Sequence, residues 1–390
     1  MFQPVPARRA VEFRPATRFA KDRTPPIERV SVAFCDLIKA ESESQTIGLF
    51  PARAVMNLPQ VFTAREWQLI ADNHFIHETG RACDVCPDFA KVLNIGLSTI
   101  REKAIAKLDA VLPDAQHLYC RCLVQDIDAI AACCDKHQIE VPLRPVKGFK
   151  EALLGMRMLM LCLSCEGAYG IALGRFDQYM LPYLDDDDAT ALLKNFFFSL
   201  AQDIDLEPGI HPGSAICLTL GRSDSNVLTA LCIRAIDELN LPTLKYALRT
   251  EAADAHNIPL LIERGYAASD AANYVFSARN ELIIPHAGAD RFRVAAINKD
   301  DHDMENTIKL IAESLSPTYQ LPAPLLSAMM DGCLEQGRDI SEGLRYNNDY
   351  IHCAGLNIET GIANGRAGKL IIEGEGAPYA SWFTQLLPTS

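Results

Sequence analysis

Gly174-Arg175-Phe176-Asp177-Gln178-Tyr179-Met180-Leu181-Pro182-Tyr183 lies near the seam between two textures of this 390-residue sequence. Upstream, from about residue 63, the pattern is helix after helix. Pro87-Asp88 opens an apolar-periodic stretch that runs through Val92, Leu93, Ile100 and Ile105 to Leu112, where Pro113 ends it. A second helical run reaches about His137. Val141-Pro142-Leu143-Arg144-Pro145 breaks the pattern, and Phe149 to Cys165 restarts it as a helix apolar on nearly every side, as burial requires. Downstream of residue 205, short apolar runs alternate with helices. Strands are predicted at Ala215 to Leu220, Leu244 to Leu248, Glu281 to Ile284 and Phe292 to Ile297. Between them fall a helix Val227 to Leu239 capped by Ser225, a helix Pro259 to Arg264 closed by Gly265, and a further helix capped by Ser269. Such alternation predicts an α/β layer or barrel, and no fixed-period repeat competes with it.

The stretch 174–183 resembles the segment that glycyl radical enzymes of the pyruvate formate-lyase family carry at the mouth of their barrel. Neighbouring motifs fall in that family's order. Leu218-Thr219-Leu220-Gly221 resembles its strand and turn, followed by the helix Asn226 to Leu239, Leu241-Pro242 and Arg249. Gly265 and Asp270 to Tyr274 resemble the lead-in to its active-site loop. Pro324 to Cys333, then Gly337-Arg338-Asp339-Ile340 and Arg345-Tyr346-Asn347, resemble its late helix and strand. The resemblance covers roughly residues 75 to 370. It implies an α/β fold, a helix-wrapped barrel of two half-barrels with a buried central site and a helical N-terminal part. The expected division is an extended N-terminal arm over 1–62 and a single pyruvate formate-lyase-like domain over 63–390, helical over 63–205 and barrel-forming over 206–390.

Two departures from that family pattern bear on function. In the family, Gly-Cys-x-Glu follows the lead-in tyrosine, and the cysteine carries the thiyl radical that attacks substrate. Placing Tyr274 on that tyrosine puts Ala278 on the glycine, Arg279 on the cysteine, Asn280 on the free position and Glu281 on the glutamate. The radical thiol is thus replaced by a guanidinium, which cannot relay a radical. The sequence also ends at Ser390, soon after Leu370-Ile371-Ile372, without the family's glycine-bearing element, so the expectation is that this polypeptide houses no glycyl radical.

Ser277, Arg279 and Glu281 alternate, so an extended conformation puts them on one face with successive residues roughly 6.5–7 Å apart. In a closed cavity Glu281 is the candidate general base and Arg279 the candidate anchor for an anionic substrate. Ser277, Asn280, Arg249 and His286 are the candidate substrate-binding residues. The competing reading is an internal ion pair in an empty cavity. Cys353, directly after His352, is a candidate nucleophile, although adjacent strand residues face opposite ways and leave that histidine poorly placed to activate it. Cys217 has no neighbouring base. Cys83-x-x-Cys86 and Cys162-x-x-Cys165 have metal-like spacing, and Cys120, Cys122, Cys133 and Cys134 add sulfur. Without a glycine-rich knuckle or ordered histidines they read as core thiols. Asp185 to Asp188, Asp203 and Asp205 lack the turn glycine and closing glutamate of a calcium loop. Asp300-Asp301-His302-Asp303 reads as a solvated turn. No metal or cofactor is expected.

Composition narrows the function classes. Hydrophobic residues make up 49% of the chain and charged ones 22%, which suits an ordinary globular core. A formal charge of −13 argues against a nucleic-acid partner. Residues 1 to 30 are locally basic, with seven Lys/Arg against three acids, and proline-rich, so they read as a surface-hugging arm and not a signal peptide. Met158 to Cys165, bounded by Arg157 and Glu166, is too short to span a bilayer. Thirteen cysteines with no secretory signal point to a reducing, cytoplasmic setting. The expected partners are a small anionic metabolite and, as a candidate assembly, a second copy of the chain. Two functions fit: a radical-independent lyase (elimination, hydration or decarboxylation of a small acid), or a pseudoenzyme that binds or regulates without turnover.

Overall fold

The computed structural model describes residues 10–19, 24–43, 58–73, 85–110, 112–168, 170–185, 188–205, 216–221, 225–240, 244–263, 266–277, 282–286, 321–337, 339, 350–351 and 356–357. Helix α1 spans Pro26–Glu41 and corrects the expectation of an extended arm at these residues. The proline that read as a breaker occupies the first turn, where its missing N–H costs nothing. Ile27, Val30, Phe34, Leu37 and Ile38 then recur at helical spacing, and Phe34 and Leu37 are fully buried. Burying each of those two side chains is worth roughly 1.5–3 kcal/mol, enough to hold the helix down. The arm ahead of it does lie on the surface of α1, where Arg14 and Arg18 both reach Asp36, at 2.6 and 2.9 Å.

Helix α2 (Ala64–Asn73) is followed by α3 (Phe89–Leu108), α4 (Asp114–His137) and α5 (Phe149–Glu166). Asp88 caps α3, its carboxylate accepting the Lys91 N–H at 2.7 Å. The helix ends at Leu108, short of the expected Leu112. It is also broken at Gly96, which takes φ +76, and a Cβ there would stand 2.3 Å from the Leu143 carbonyl oxygen. The N–H groups of Leu97 and Ser98 donate to the Pro142 and Leu143 carbonyls at 2.9 and 3.0 Å. The proline-rich break in the sequence thus plugs the break in the helix. Helix α5 is buried on nearly every side, as expected. Its first residue donates its N–H to Asp185, which gives that acid a structural role at a helix N-terminus. The short helix α6 (Phe176–Tyr179) and α7 (Ala189–Asp205) follow.

The α/β part begins with strand β1 (Ile216–Gly221), helix α8 (Val227–Leu239) and strand β2 (Leu244–Arg249), with β1 and β2 parallel. The cap of α8 is Asn226 and not Ser225: its side chain accepts from the N–H groups of Leu228 and Thr229, and the Thr229 hydroxyl accepts in return from the Asn226 N–H. Helix α9 runs over Glu251–Glu263, so it begins eight residues before Pro259. Helix α10 (Ala268–Ala272) contains Ser269 instead of being capped by it. Strands β3 (Val275–Phe276) and β4 (Leu282–Ile283) pair antiparallel. Helices α11 (Pro324–Ala328) and α12 (Cys333–Gln336) and the antiparallel pair β5 (Tyr350–Ile351) and β6 (Leu356–Asn357) complete the described elements. The expected strand Phe292 to Ile297 lies outside the described residues.

Backbone hydrogen bonds extend the β1–β2 pair into an open arc. On the side of β1 away from β2, the Leu173 N–H donates to Cys217 and the Thr219 N–H to Gly174, both at 2.9 Å. The Ala172 N–H donates to Val85, the His286 N–H to Cys86, and the Asp331 N–H to His286, at 2.9, 2.8 and 2.8 Å. Helices α3, α4, α5, α7, α8 and α11 share one apolar core with this wall. A closed barrel is not traced among the described residues; the α/β, helix-rich character is. No helix among the described residues is long and apolar enough to cross a membrane.

Candidate functional site

Residues 174–179 border a cleft, and five of them have identifiable tasks. Gly174 takes φ +61, and a Cβ there would meet the Cys86 Sγ at 2.8 Å, so a residue without a side chain is required. Arg175 Nη2 donates to the Gly221 carbonyl at 2.7 Å, tying the stretch to the end of β1. Phe176 stacks on Phe196 with ring centroids 6.0 Å apart and meets Phe197 at 5.9 Å. Asp177 is fully buried; its carboxylate accepts from the Gly221 N–H at 2.9 Å and the Thr229 hydroxyl at 2.7 Å, while its carbonyl accepts from the Asn226 amide at 3.0 Å. Tyr179 donates its hydroxyl to the Leu173 carbonyl at 2.8 Å, and burial holds that phenol protonated well above its ordinary range.

Those contacts leave Arg175, Gln178 and Tyr179 on the lining of a cavity of about 320 Å³, with Asp270, Asn273 and His286 also lining it. Segments 85–88, 284–286 and 329–331 meet at this cleft, laced by the backbone bonds already given and by the Asp88 N–H donating to Met329 at 2.9 Å. Lacing brings Asp88, His286 and Asp331 together, with one donor atom of each within 4.8 Å of the others. His286 Nδ1 stands 3.7 Å from the Asp88 carboxylate oxygen not used in the cap, and the two side chains are 33% and 19% exposed. His286 holds φ 59, a left-handed conformation that costs a residue with a Cβ roughly 1–2 kcal/mol. Cys86 also lines the cleft, but burial first and Asp88 second push its thiol pKa up, which leaves it protonated and unreactive.

Of the sequence-derived candidates, His286 lies on this cleft and Ser277 is fully buried at the end of β3. Arg249 is buried and ion-paired. Its Nε and Nη2 donate to one Asp254 oxygen at 2.9 and 2.8 Å, and its Nη1 donates to the Tyr274 carbonyl at 3.1 Å. The guanidinium lies 4.0 Å from the centre of the Tyr274 ring, and the Tyr274 hydroxyl donates to the same Asp254 oxygen at 2.9 Å. These contacts brace the start of β3 with the arginine side chain. Arg279, Asn280, Glu281 and Cys353 lie outside the described residues. Cys162 and Cys165 are buried in the body of α5, and burial raises the Cys162 thiol pKa. Reading the sequence had missed Asp88, Tyr179 and Asp331 as cleft residues. Asp88 carried only the signal of a helix start, and Asp331 only that of a late-helix motif.

Comparison with known proteins supports the resemblance carried by these motifs. A family model described as pyruvate formate lyase-like matches residues 306–360, overlapping the late helix and strand motifs. The B12-independent glycerol dehydratase from Clostridium butyricum, solved in its glycerol-bound form, matches with a TM-score of 0.63 and 16% identity. That match covers 87% of this chain and 65% of the dehydratase, so the chain spans just under two thirds of its length. A glycyl radical enzyme from Archaeoglobus fulgidus matches with a TM-score of 0.66 and 14% identity over 87% of this chain and 66% of its own. Hydroxyproline dehydratase from Clostridioides difficile, with trans-4-hydroxy-L-proline bound, matches at 0.63 and 12% identity over 97% of this chain and 75% of its own. The chain therefore resembles the pyruvate formate lyase-like family and shares the fold of glycyl radical enzymes.

Proposed function

We propose that this protein is a radical-independent, lyase-like relative of the glycyl radical enzymes that binds a small hydroxylated carboxylate near the β3–β4 turn. The observation that carries this reading is the replacement of the radical cysteine by Arg279 with the family's glutamate retained as Glu281, in the sequence between two strands that pair with each other. The cleft of about 320 Å³, lined by Ile284, Pro285 and His286 just beyond β4, is of a size for a small metabolite. The similarity to dehydratases, one holding a hydroxylated amino acid, supports elimination of water as the reaction class. In this proposal Arg279 pairs with the substrate carboxylate in a charge-assisted, bidentate contact. Glu281 takes a proton from the carbon beside the one bearing the hydroxyl, the electron pair forms the carbon–carbon double bond, and the hydroxyl leaves as water once a proton is returned to it.

Calorimetry with small 2- and 3-hydroxy acids, with product analysis, tests the proposal. Arg279→Ala should weaken binding by roughly 10–100-fold, the worth of one or two hydrogen bonds to a charge. Glu281→Gln should keep binding and abolish alkene formation. If the wild type binds none of these acids, or both variants behave as the wild type does, the reading fails. The pseudoenzyme reading draws on a separate observation, the commitment of Arg249 to Asp254, which leaves fewer cations for substrate. Binding that responds to Arg279→Ala without any product would favour it.

A further inference from the structure

We propose that Asp88, His286 and Asp331 form a site for one divalent first-row transition-metal ion, with Zn²⁺ as the expected occupant, on the wall of the cleft. The inference stands apart from Arg279 and Glu281, because none of its three ligands comes from the turn between β3 and β4. Its first support is the donor set. One imidazole and two carboxylates suit a borderline ion of the Zn²⁺ type, whereas Mg²⁺ and Ca²⁺ prefer oxygen alone. The two carboxylates supply two negative charges within 4.8 Å of one another for a dication to meet.

Geometry is the second support. The 3.7 Å between His286 Nδ1 and Asp88 is too long for a good hydrogen bond. It is close to the separation of roughly 3.3–3.5 Å between neighbouring donors that each lie about 2.1 Å from a tetrahedral zinc. Asp88 is suited to divided duty, because one oxygen caps α3 and the other faces His286. The three donors lie within 4.8 Å of one another, so drawing them to tetrahedral spacing shortens any one separation by at most about 1.4 Å. The third support is how the ligands are held. Residues from three separate parts of the sequence are joined by the His286-to-Cys86 and Asp331-to-His286 backbone bonds at 2.8 Å, so the three ligand-bearing segments are together before any ion arrives. Three protein ligands leave at least one coordination position open, and His286 borders the cavity toward which that position would face.

The test uses tag-free, chelator-treated full-length protein, with Zn²⁺, Mn²⁺ and Mg²⁺ followed by calorimetry and thermal melting, and Co²⁺ by absorption spectroscopy. One equivalent of Zn²⁺ should bind in the micromolar range and raise Tm, while Mg²⁺ should do neither at the same concentration. Co²⁺ should give visible d–d bands without the near-ultraviolet charge transfer of thiolate ligation. Asp331→Asn and His286→Gln, each first shown to be folded by circular dichroism, should each lose at least about tenfold in Zn²⁺ affinity. Zn²⁺ affinity unchanged in both variants, thiolate charge transfer with Co²⁺, or no Zn²⁺ binding by the wild type would each overturn the proposal.

Discussion

Replacing Gly174 by alanine puts a Cβ 2.8 Å from the Cys86 Sγ while the backbone stays at φ +61. The left-handed conformation alone should cost roughly 1–2 kcal/mol. Relief by backbone movement is obstructed, because the Gly174 carbonyl accepts the Thr219 N–H at 2.9 Å and the adjacent Leu173 N–H is bonded to Cys217. Relief by moving the sulfur is obstructed as well, since Cys86 is buried among Ala172, Val275 and Ile283. Overpacking of this kind typically adds about 1–3 kcal/mol, so Gly174→Ala should cost about 2–5 kcal/mol in total. Cys86→Ala alone removes one buried sulfur and should cost about 1 kcal/mol. In the double variant the clash is gone and only the conformational strain remains, so the pair should be more stable than Gly174→Ala alone, with a coupling of about 1–3 kcal/mol. Urea midpoints at constant m-value for the four proteins of the cycle measure this. Additivity within about 0.5 kcal/mol would refute the claim that Gly174 is required by the close approach of Cys86.

Asp126 is fully buried between α1 and α4, and desolvation pushes its pKa up from 3.8 to about 7 against the opposing hydrogen bonds from Ser31 and Cys35. A carboxyl raised in the folded state stabilises fully below its unfolded pKa, and that contribution is lost as pH rises from about 4 to 7. Asp126→Asn keeps an acceptor for Ser31, so it should leave stability nearly unchanged at pH 4 and add up to ~4 kcal/mol at pH 8, read as the difference between urea titrations at the two values. Asp254→Asn strips the buried Arg249 of its carboxylate partner and should destabilise the protein by about 3–5 kcal/mol, whereas Arg249→Met with Asp254→Asn should recover part of that loss in thermal melts. Glu166 is fully buried and accepts the Leu325 and Leu326 N–H groups at 2.7 and 2.8 Å, so Glu166→Leu should cost about 2–4 kcal/mol, whereas Glu166→Gln, which keeps one acceptor, should cost about half as much by the same measurement.

Helices that bury a regular apolar stripe were readable from spacing alone: α5 and α8 fall within a residue of their expected bounds, and α4 ends at the expected His137. Strands β1 and β2 were equally readable, as apolar runs on either side of a capped helix. Proline and serine carried the misreadings. Pro26 begins α1 and Pro259 sits within α9, because a missing N–H is harmless in a first turn and tolerable where one bond is lost from an otherwise packed helix. Ser225 and Ser269 have the right chemistry for a cap at the wrong register, and composition does not reveal register. The motif 174–183 was recognised as a unit, yet the tasks of its residues were not legible. Asp177 serves Gly221, Asn226 and Thr229, residues some fifty positions along the chain, and only the fold brings them together.

The same distance separates what the sequence says about the two proposed sites. Ser277, Arg279 and Glu281 announce themselves by alternation within five residues. Asp88, His286 and Asp331 have no local pattern, because their association is created by backbone bonds between segments that the sequence keeps far apart. That difference decides how variants should be interpreted. Among the described residues, the wall is fixed by the 85–172, 86–286 and 286–331 backbone bonds, by the Asp88 cap and by the apolar core behind it. Arg249 and Asp254 brace β3 from behind in the same way, through the Tyr274 carbonyl and ring. Substituting Arg279 or Glu281 leaves each of these described contacts in place, so a loss of binding or turnover in those variants, with Tm unchanged, reports on chemistry at residues 279–281 and not on the wall. Substituting Asp88 lacks that clarity, since it removes a helix cap worth about 1 kcal/mol along with a proposed ligand. Asp331→Asn leaves that cap in place; a loss of Zn²⁺ affinity in this variant, with its Tm measured alongside, would place the ion on the wall, whereas an unchanged affinity would remove Asp331 from the ligand set.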